Sequence, residues 1–427
     1  MKLVDWRLMN KEKLIPELRF PEFENEGEWD EKQLGDALIQ NPEYGINAPA
    51  VPFSNKLPTY LRITDISEDG RFLSDEKVSV DREVAENNYL SDGDIVLART
   101  GASVGKSYKY RNEDGRLVFA GFLIRLKPDS KKLNSDFLFQ FLATNQYWKW
   151  VSFISARSGQ PGINATEYSS LPVYLPKPAE QQKIATCLSS LDEIIAAHSQ
   201  KLELLTDHKK GLMQNLFPQE GEKAPKLRFK EFEGDGEWVE KDLYDLGELI
   251  NGLTYSPEDV REKGLLVLRS SNIQNGLIDL NDCVFVKTDI KGANLSRPND
   301  ILVCVRNGSK ALIGKNAIIP KGLPLATHGA FMTVFRAKNS EFVFQLFQTK
   351  FYDKQVKADL GATINSINGK NFIKYKFPVP LNPKEQQKIA SCLSSLDALI
   401  ASQTEKIEQL KLHKKGLMQG LFPKIND

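Results

Sequence analysis

Cysteine and histidine are scarce in this chain, and the few present form no pattern. The four cysteines, Cys187, Cys283, Cys304 and Cys392, include no CxxC pair, and the four histidines join no cluster with metal-ligand spacing. Redox and metal motifs are therefore missing, and the cysteines read as reduced thiols. No serine or cysteine stands in a recognisable nucleophile setting. Long hydrophobic runs are absent too: nothing approaches about 18 consecutive apolar residues. The opening MKLVDWRLMNKEKL lacks the apolar core of a signal peptide, so the expectation is a soluble, cytoplasmic protein without a membrane partner. A surplus of one charge is likewise missing; the net charge of +1 argues neither for nor against a polyanionic partner.

Two near-motifs fail on inspection. Residues 100–107, TGASVGKS, come close to a phosphate-binding P-loop, but GxxxxGK[ST] requires glycine where Thr100 stands. Asn41-Pro42-Glu43-Tyr44 is one residue from the NPPY motif of adenine-N6 methyltransferases, with Glu for the second proline and no FxGxG-type loop before it. The chain therefore shows no persuasive active site, and the catalytic, cofactor-binding and metal-binding residues expected of it are none.

What the chain does have is repetition. Residues 180–218 recur as residues 385–423, about 205 positions later, with 27 of 39 residues identical. Residues 18–36 match residues 227–245 at 13 of 19 positions, including LRF, GEW and EK. The stretches between these markers are far less alike. Two near-constant frames holding two variable inserts suit one task performed on two different targets. The period is too long for a solenoid array, whose units run about 20 to 50 residues.

The long repeat carries a heptad seam. Ile184, Leu188, Leu191, Ile195, His198, Leu202, Leu205, Lys209, Leu212 and Leu216 are spaced alternately four and three apart. The second copy supplies Ile389, Leu393, Leu396, Ile400, Gln403, Ile407, Leu410, Lys414, Leu417 and Leu421. Such spacing predicts a coiled coil, and each copy is the obvious partner of the other. Asn382-Pro383-Lys384-Glu385 looks like a helix start, with Asn as cap and Pro at the first position; Pro218 and Pro423 end both copies. In an antiparallel pairing His198 should sit close to Gln403, with Lys209 and Lys414 at opposite ends.

The inserts read as mixed α/β. Residues 60–63, 94–98, 117–126, 265–268, 300–305 and 331–336 are expected strands, and 136–151 and 340–357 expected helices. Leu61-Arg62-Ile63-Thr64-Asp65-Ile66 pairs with Leu268-Arg269-Ser270-Ser271-Asn272-Ile273, and Arg99-Thr100-Gly101 with Arg306-Asn307-Gly308. Each insert is basic in its later part: residues 99–157 hold eleven Lys/Arg against four acids, and 306–376 twelve against three. That is the footprint a polyanion needs, although a solvated face would look the same. Were that polyanion a nucleic acid, Arg99, Lys106, Lys109, Arg157, Arg306, Lys310, Lys315 and Lys370 would be its candidate contacts. Gln160, Asn164, Asn272 and Asn368 carry amides suited to base edges.

A variable domain, a helix opening EQQKIA, a second variable domain and a matching helix together resemble the specificity subunit of bacterial type I restriction-modification systems. Residues 16–23 (PELRFPEF) with GEW, the segment 95–101, and SGQPGIN at 158–164 are in that family's style. Lys177, where the second copy has a capping Asn, departs from the pattern and blurs the first helix's start. The resemblance implies two α/β (α+β) target recognition domains, each reading half of a split site on double-stranded DNA. It implies two long helices pairing as an antiparallel coiled coil in a pseudo-twofold, duplicated architecture. It also implies docking of two methyltransferase subunits, to which motor-nuclease subunits add. S-adenosylmethionine, ATP and magnesium would belong to those partners, with no cofactor in this chain. The expected organisation is 1–14 terminal segment, 15–176 first recognition domain, 177–218 central helix, 219–225 linker, 226–381 second recognition domain, 382–423 distal helix and 424–427 tail. A coiled-coil scaffold without DNA readout is the alternative.

Overall fold

The structure, a computed structural model, describes residues 14–156, 161–360 and 365–425. The long repeats fold as two helices of equal length, the central helix Pro178–Leu216 and the distal helix Pro383–Leu421. At 1.5 Å per residue each extends about 58 Å. Proline opens both, where a backbone N–H would be unpaired in any case. Asn382 caps the distal helix, its Oδ1 accepting from Lys384 N at 3.0 Å.

The chain divides into two compact units: one runs up to Ser199 and resumes at Glu405, the other is Gln200–Thr404. Each unit thus combines one recognition domain, the first half of the helix that follows it and the second half of the other helix. In the first unit Ile184, Ala185 and Leu188 of the central helix and Leu421 and Phe422 of the distal helix share a core with Trp29, Phe137 and Phe141. In the second, Leu216 and Phe217 meet Ile389, Ala390 and Leu393 around Trp238, Phe342 and Phe347. Within each unit the start of one helix lies against the end of the other, so the helices run antiparallel. Their seam residues are buried or half-buried throughout.

The short repeats explain themselves as anchors. Arg19 grips Glu180 through two hydrogen bonds of 2.8 and 2.7 Å, and Arg228 grips Glu385 with the same two distances. Both glutamates are only 1% exposed, so each charge is held by a bidentate partner rather than by water. Trp238 Nε1 adds a bond to Glu385 at 3.3 Å. LRF, GEW and EQQ recur because they clamp a recognition domain onto the start of its helix.

Each recognition domain contains two four-stranded sheets with one shared topology. In the first domain one sheet has the order Glu43–Tyr44, Leu123–Leu126, Ile95–Ala98, Ser107–Lys109; its counterpart is Gly247–Asn251, Met332–Ala337, Ile301–Cys304, Asn316–Ile318. The other sheet runs Ala50–Pro52, Val78–Val80, Thr59–Leu61, Leu117–Phe119, matched by Val260–Arg261, Val284–Val286, Leu265–Leu268, Ala326–His328. In both domains the last pair of the second sheet is parallel.

Three expected elements turn out divided. Residues 117–126 are not one strand: Ala120-Gly121-Phe122 forms a turn that sends Leu117–Phe119 and Leu123–Leu126 into different sheets. The expected helix 136–151 is two, Ser135–Phe141 and Asn145–Ser155, and 340–357 likewise splits into Ser340–Leu346 and Lys350–Leu360. Thr144 and Thr349 sit at the breaks, each hydroxyl donating back to a carbonyl three residues earlier, at 2.7 and 2.6 Å. A local side-chain bond of this kind competes with continuing the helix.

Candidate nucleic-acid interface

Three backbone segments converge at the end of the strand Ile95–Ala98. Arg99 N donates to Phe122 O at 3.0 Å, Ile163 N to Arg99 O at 2.9 Å, and Gly101 N to Pro161 O at 3.1 Å. Tyr44 closes the group: its hydroxyl accepts from Ala165 N at 3.1 Å, and the Arg99 guanidinium lies 4.9 Å from its ring centroid. Among the described residues Arg99 Nε is buried without a hydrogen-bond partner, and no carboxylate pairs with the guanidinium. The result is a compact surface presenting a cation, two exposed aromatic rings and the start of the helix Ala165–Ser169.

The second domain builds the same junction. Val305 N and Arg306 N donate to Phe331 O at 3.0 and 3.1 Å, and Ile367 N donates to Val305 O at 2.8 Å. Arg306 lies over the Phe331 ring at 5.7 Å. The strand ladders correct one detail of the sequence alignment. Ala98 faces Leu123 and Cys304 faces Met332, so Arg99 corresponds to Val305, and Arg306 to Thr100. The following turn, residues 99–106 in one domain and 305–315 in the other, is three residues longer in the second. Different loop lengths shifted the apparent match.

The remaining candidates fall into several environments. Lys106 is paired with Glu68 at 2.8 Å on the turn beside this junction. Lys109 is held at 2.5 Å by Asp136, at the start of the helix Ser135–Phe141, and so braces that helix. Lys310, Lys315 and Lys370 are exposed. Asn164 and Asn368 occupy matching positions as helix N-caps, their Oδ1 atoms accepting from Glu167 N and Lys370 N, both at 2.9 Å. Arg157 and Gln160 lie outside the described residues.

Asn272 is a correction. It is fully buried, accepts from Arg269 N at 2.8 Å, and donates to the carbonyls of Asp279 and Asp282 at 2.9 and 3.0 Å. Its amide edge is consumed by a turn and has nothing left for a base. Asp65, its partner in the first domain, accepts from Arg62 N in the same way at 2.8 Å.

Some of the basic surplus is internal as well. Arg125 is buried against Glu43 and Asp94, and the half-buried Arg336 pairs with Asp300 at 2.8 Å. Sequence reasoning missed Tyr44, Phe122 and Phe331. The signal available for Phe122 was Gly121, a break inside what otherwise reads as one strand.

Among the described residues no group of three or more His, Cys, Asp or Glu could hold a metal ion. Burial pushes the Cys304 thiol up to about 11, so it is an inert core group. The Tyr147 and Tyr352 hydroxyls, raised by burial, donate to Gly105 O and Gly314 O at 2.7 and 2.8 Å. Those glycines have φ of +88° and +89°, and a Cβ on either would crowd Val151 or Val356. The P-loop-like GK is thus a structural turn backed by a helix.

Known proteins resemble the chain in sequence and in fold. Residues 26–207 and 235–412 match the family described as the type I restriction modification DNA specificity domain. The chain is 24% identical to the type I restriction enzyme MjaVIII specificity subunit of Methanocaldococcus jannaschii, over 95% of this chain and 93% of that protein. It is 33% identical to the EcoKI specificity subunit of Escherichia coli over 43% of this chain and 41% of that one. In fold it is similar to the S subunit of a type I restriction-modification system from M. genitalium, with a TM-score of 0.66 and 15% identity, covering 96% of this chain and all of that one. With the family matched across both duplicated halves, the chain belongs to the DNA specificity subunits of type I restriction-modification systems.

Proposed function

We propose that each recognition domain reads one half of a bipartite site on double-stranded DNA. In this reading the two helices set the gap between the halves and dock two methyltransferase subunits. The observation that carries it is one fold built twice around the same junction, with different polar side chains on each copy. A duplicated scaffold supplies common positioning, and its variable side chains supply readout at groove edges. Ile194, Leu204, Leu399 and Leu412 remain exposed on the helices, where a docking partner could cover them. The chain itself is non-catalytic. Adenine-N6 methylation, or ATP-dependent restriction with motor-nuclease subunits, belongs to the partners, and with it S-adenosylmethionine, ATP and magnesium.

Insert exchange tests this reading. Residues 33–170 are replaced by the matching insert of another family member, and the methylated sequence is determined in cells carrying the chimera and its methyltransferase. One half of the methylated sequence should change and the other persist. Both halves changing together would contradict modular readout.

A further inference from the structure

The two recognition domains share few surface residues, yet each holds an exposed phenylalanine at one equivalent position. Phe122 is 60% exposed and Phe331 56%. Each immediately precedes the residue that faces the end of the neighbouring strand, Leu123 opposite Ala98 and Met332 opposite Cys304. Each carbonyl is fixed by backbone donors from that strand's continuation. Beneath each turn lies a glycine with no room for a side chain. A Cβ on Gly45 would meet Ala120 O at 2.3 Å, and one on Gly252 would meet Gly329 O at 2.1 Å. The turns are therefore firmly seated while their rings join no core. Cations stand beside them: Arg99 next to Phe122 through the backbone bond, and Arg306 over the Phe331 ring.

A feature common to two readers of different sequences must meet something their half-sites share. Every base offers a π-face whatever its identity, and apolar side chains on protein turns can enter and unstack a base step. We propose that Phe122 and Phe331 are apolar wedges, one per half-site. Each contacts the base stack at a step whose sequence it does not read, with Arg99 and Arg306 on adjoining phosphates. This rests on the reading of these junctions as the DNA-facing surface.

The test uses the full chain with its methyltransferase. A duplex is first selected from a randomised pool by the wild-type complex, then scanned with 2-aminopurine at successive positions. Failure of the wild type to select any sequence would remove the DNA-reading proposal itself, before any variant is made. Given a selected site, Phe122→Ala should weaken binding about tenfold, as removal of one aromatic ring stacked on a base does. The selected bases and the salt slope should not change, and the 2-aminopurine signal should dim in one half-site only. Phe331→Ala should act on the other half, and Phe122→Trp should restore both affinity and signal. Two results would overturn the wedge: a changed base preference in Phe122→Ala, which would make the ring a sequence reader, or unaltered affinity and fluorescence.

Discussion

At the scale of single residues, the anchors and the interface make separable demands. Glu180 is buried and held by Arg19, so Glu180→Ala strands a guanidinium in a buried site. Breaking such a pair from one side costs about 3–5 kcal/mol. Hydrogen exchange should show the destabilisation in the first unit, and Glu385→Ala the equivalent effect in the second. The interface lysines behave differently, because binding to phosphates acts through released counterions. Removing Lys106, Lys310 and Lys315 by alanine substitution should weaken binding on all duplexes and flatten the salt dependence by about one unit for each phosphate no longer neutralised. Unchanged affinity and slope would mean the basic face lies elsewhere. His328 sets a pH dependence. Burial holds its ring below the ordinary value of 6.5, against the opposing pull of the Ile250 carbonyl and Asp300. The folded chain thus takes up this proton less readily than the unfolded chain. Stability from this site is complete above about pH 6.5 and falls as the pH drops below it, by at most about 1.4 kcal/mol per unit. Urea titrations between pH 7 and 5 should show that slope, and His328→Gln should reduce it.

At the scale of elements, the polar seam positions are locks. Lys414 of the distal helix meets Asp192 of the central helix at 2.6 Å, and Asp192 also accepts from Gln140 of the first recognition domain at 2.8 Å. The second unit repeats the arrangement with Lys209, Asp397 and Gln345 at 2.5 and 3.0 Å. A helix slipped by one heptad would leave lysine, aspartate and glutamine without these partners, so the polar seam residues specify register at some cost in stability. The lysines are 15% and 17% exposed and the aspartates about twice that, which partly screens the pairs. A double-mutant cycle on Lys414→Met and Asp192→Asn should give a coupling of about 1 kcal/mol. A coupling near zero would assign the register to apolar packing alone.

At the scale of the whole molecule, helix length is the variable most directly tied to the proposed gap. Inserting seven residues at matching points in both helices preserves the heptad phase and lengthens each by about 10 Å, or roughly three base pairs of duplex. The methylated sequence should then keep both half-sites and widen the gap between them. A four-residue insertion in one helix alone breaks the seam and should abolish assembly. Altered half-sites with an unchanged gap would separate helix length from spacing.

The repeats, the heptad seam and the helix starts were legible in the sequence because each depends on local periodicity. Spacings of four and three place Ile184, Leu188 and Leu191 on one helix face whatever surrounds them, and two near-identical segments must fold alike. The strand cores 265–268 and 95–98 were legible for the same reason, as short β-branched and aliphatic runs. What only the tertiary structure decided were the matters of contact. Asn272 and Asn368 look equally able to read a base, yet one is buried in a turn and the other caps an exposed helix. Phe122 follows a short strand-like run and a glycine, and only the divergence of two sheets exposes its ring. Arg306 aligns with Arg99 by eye, but the hydrogen-bond ladders make it the counterpart of Thr100. Periodicity along a chain fixes which face a residue occupies; what that face meets depends on how separate segments pack together, and no local spacing records that.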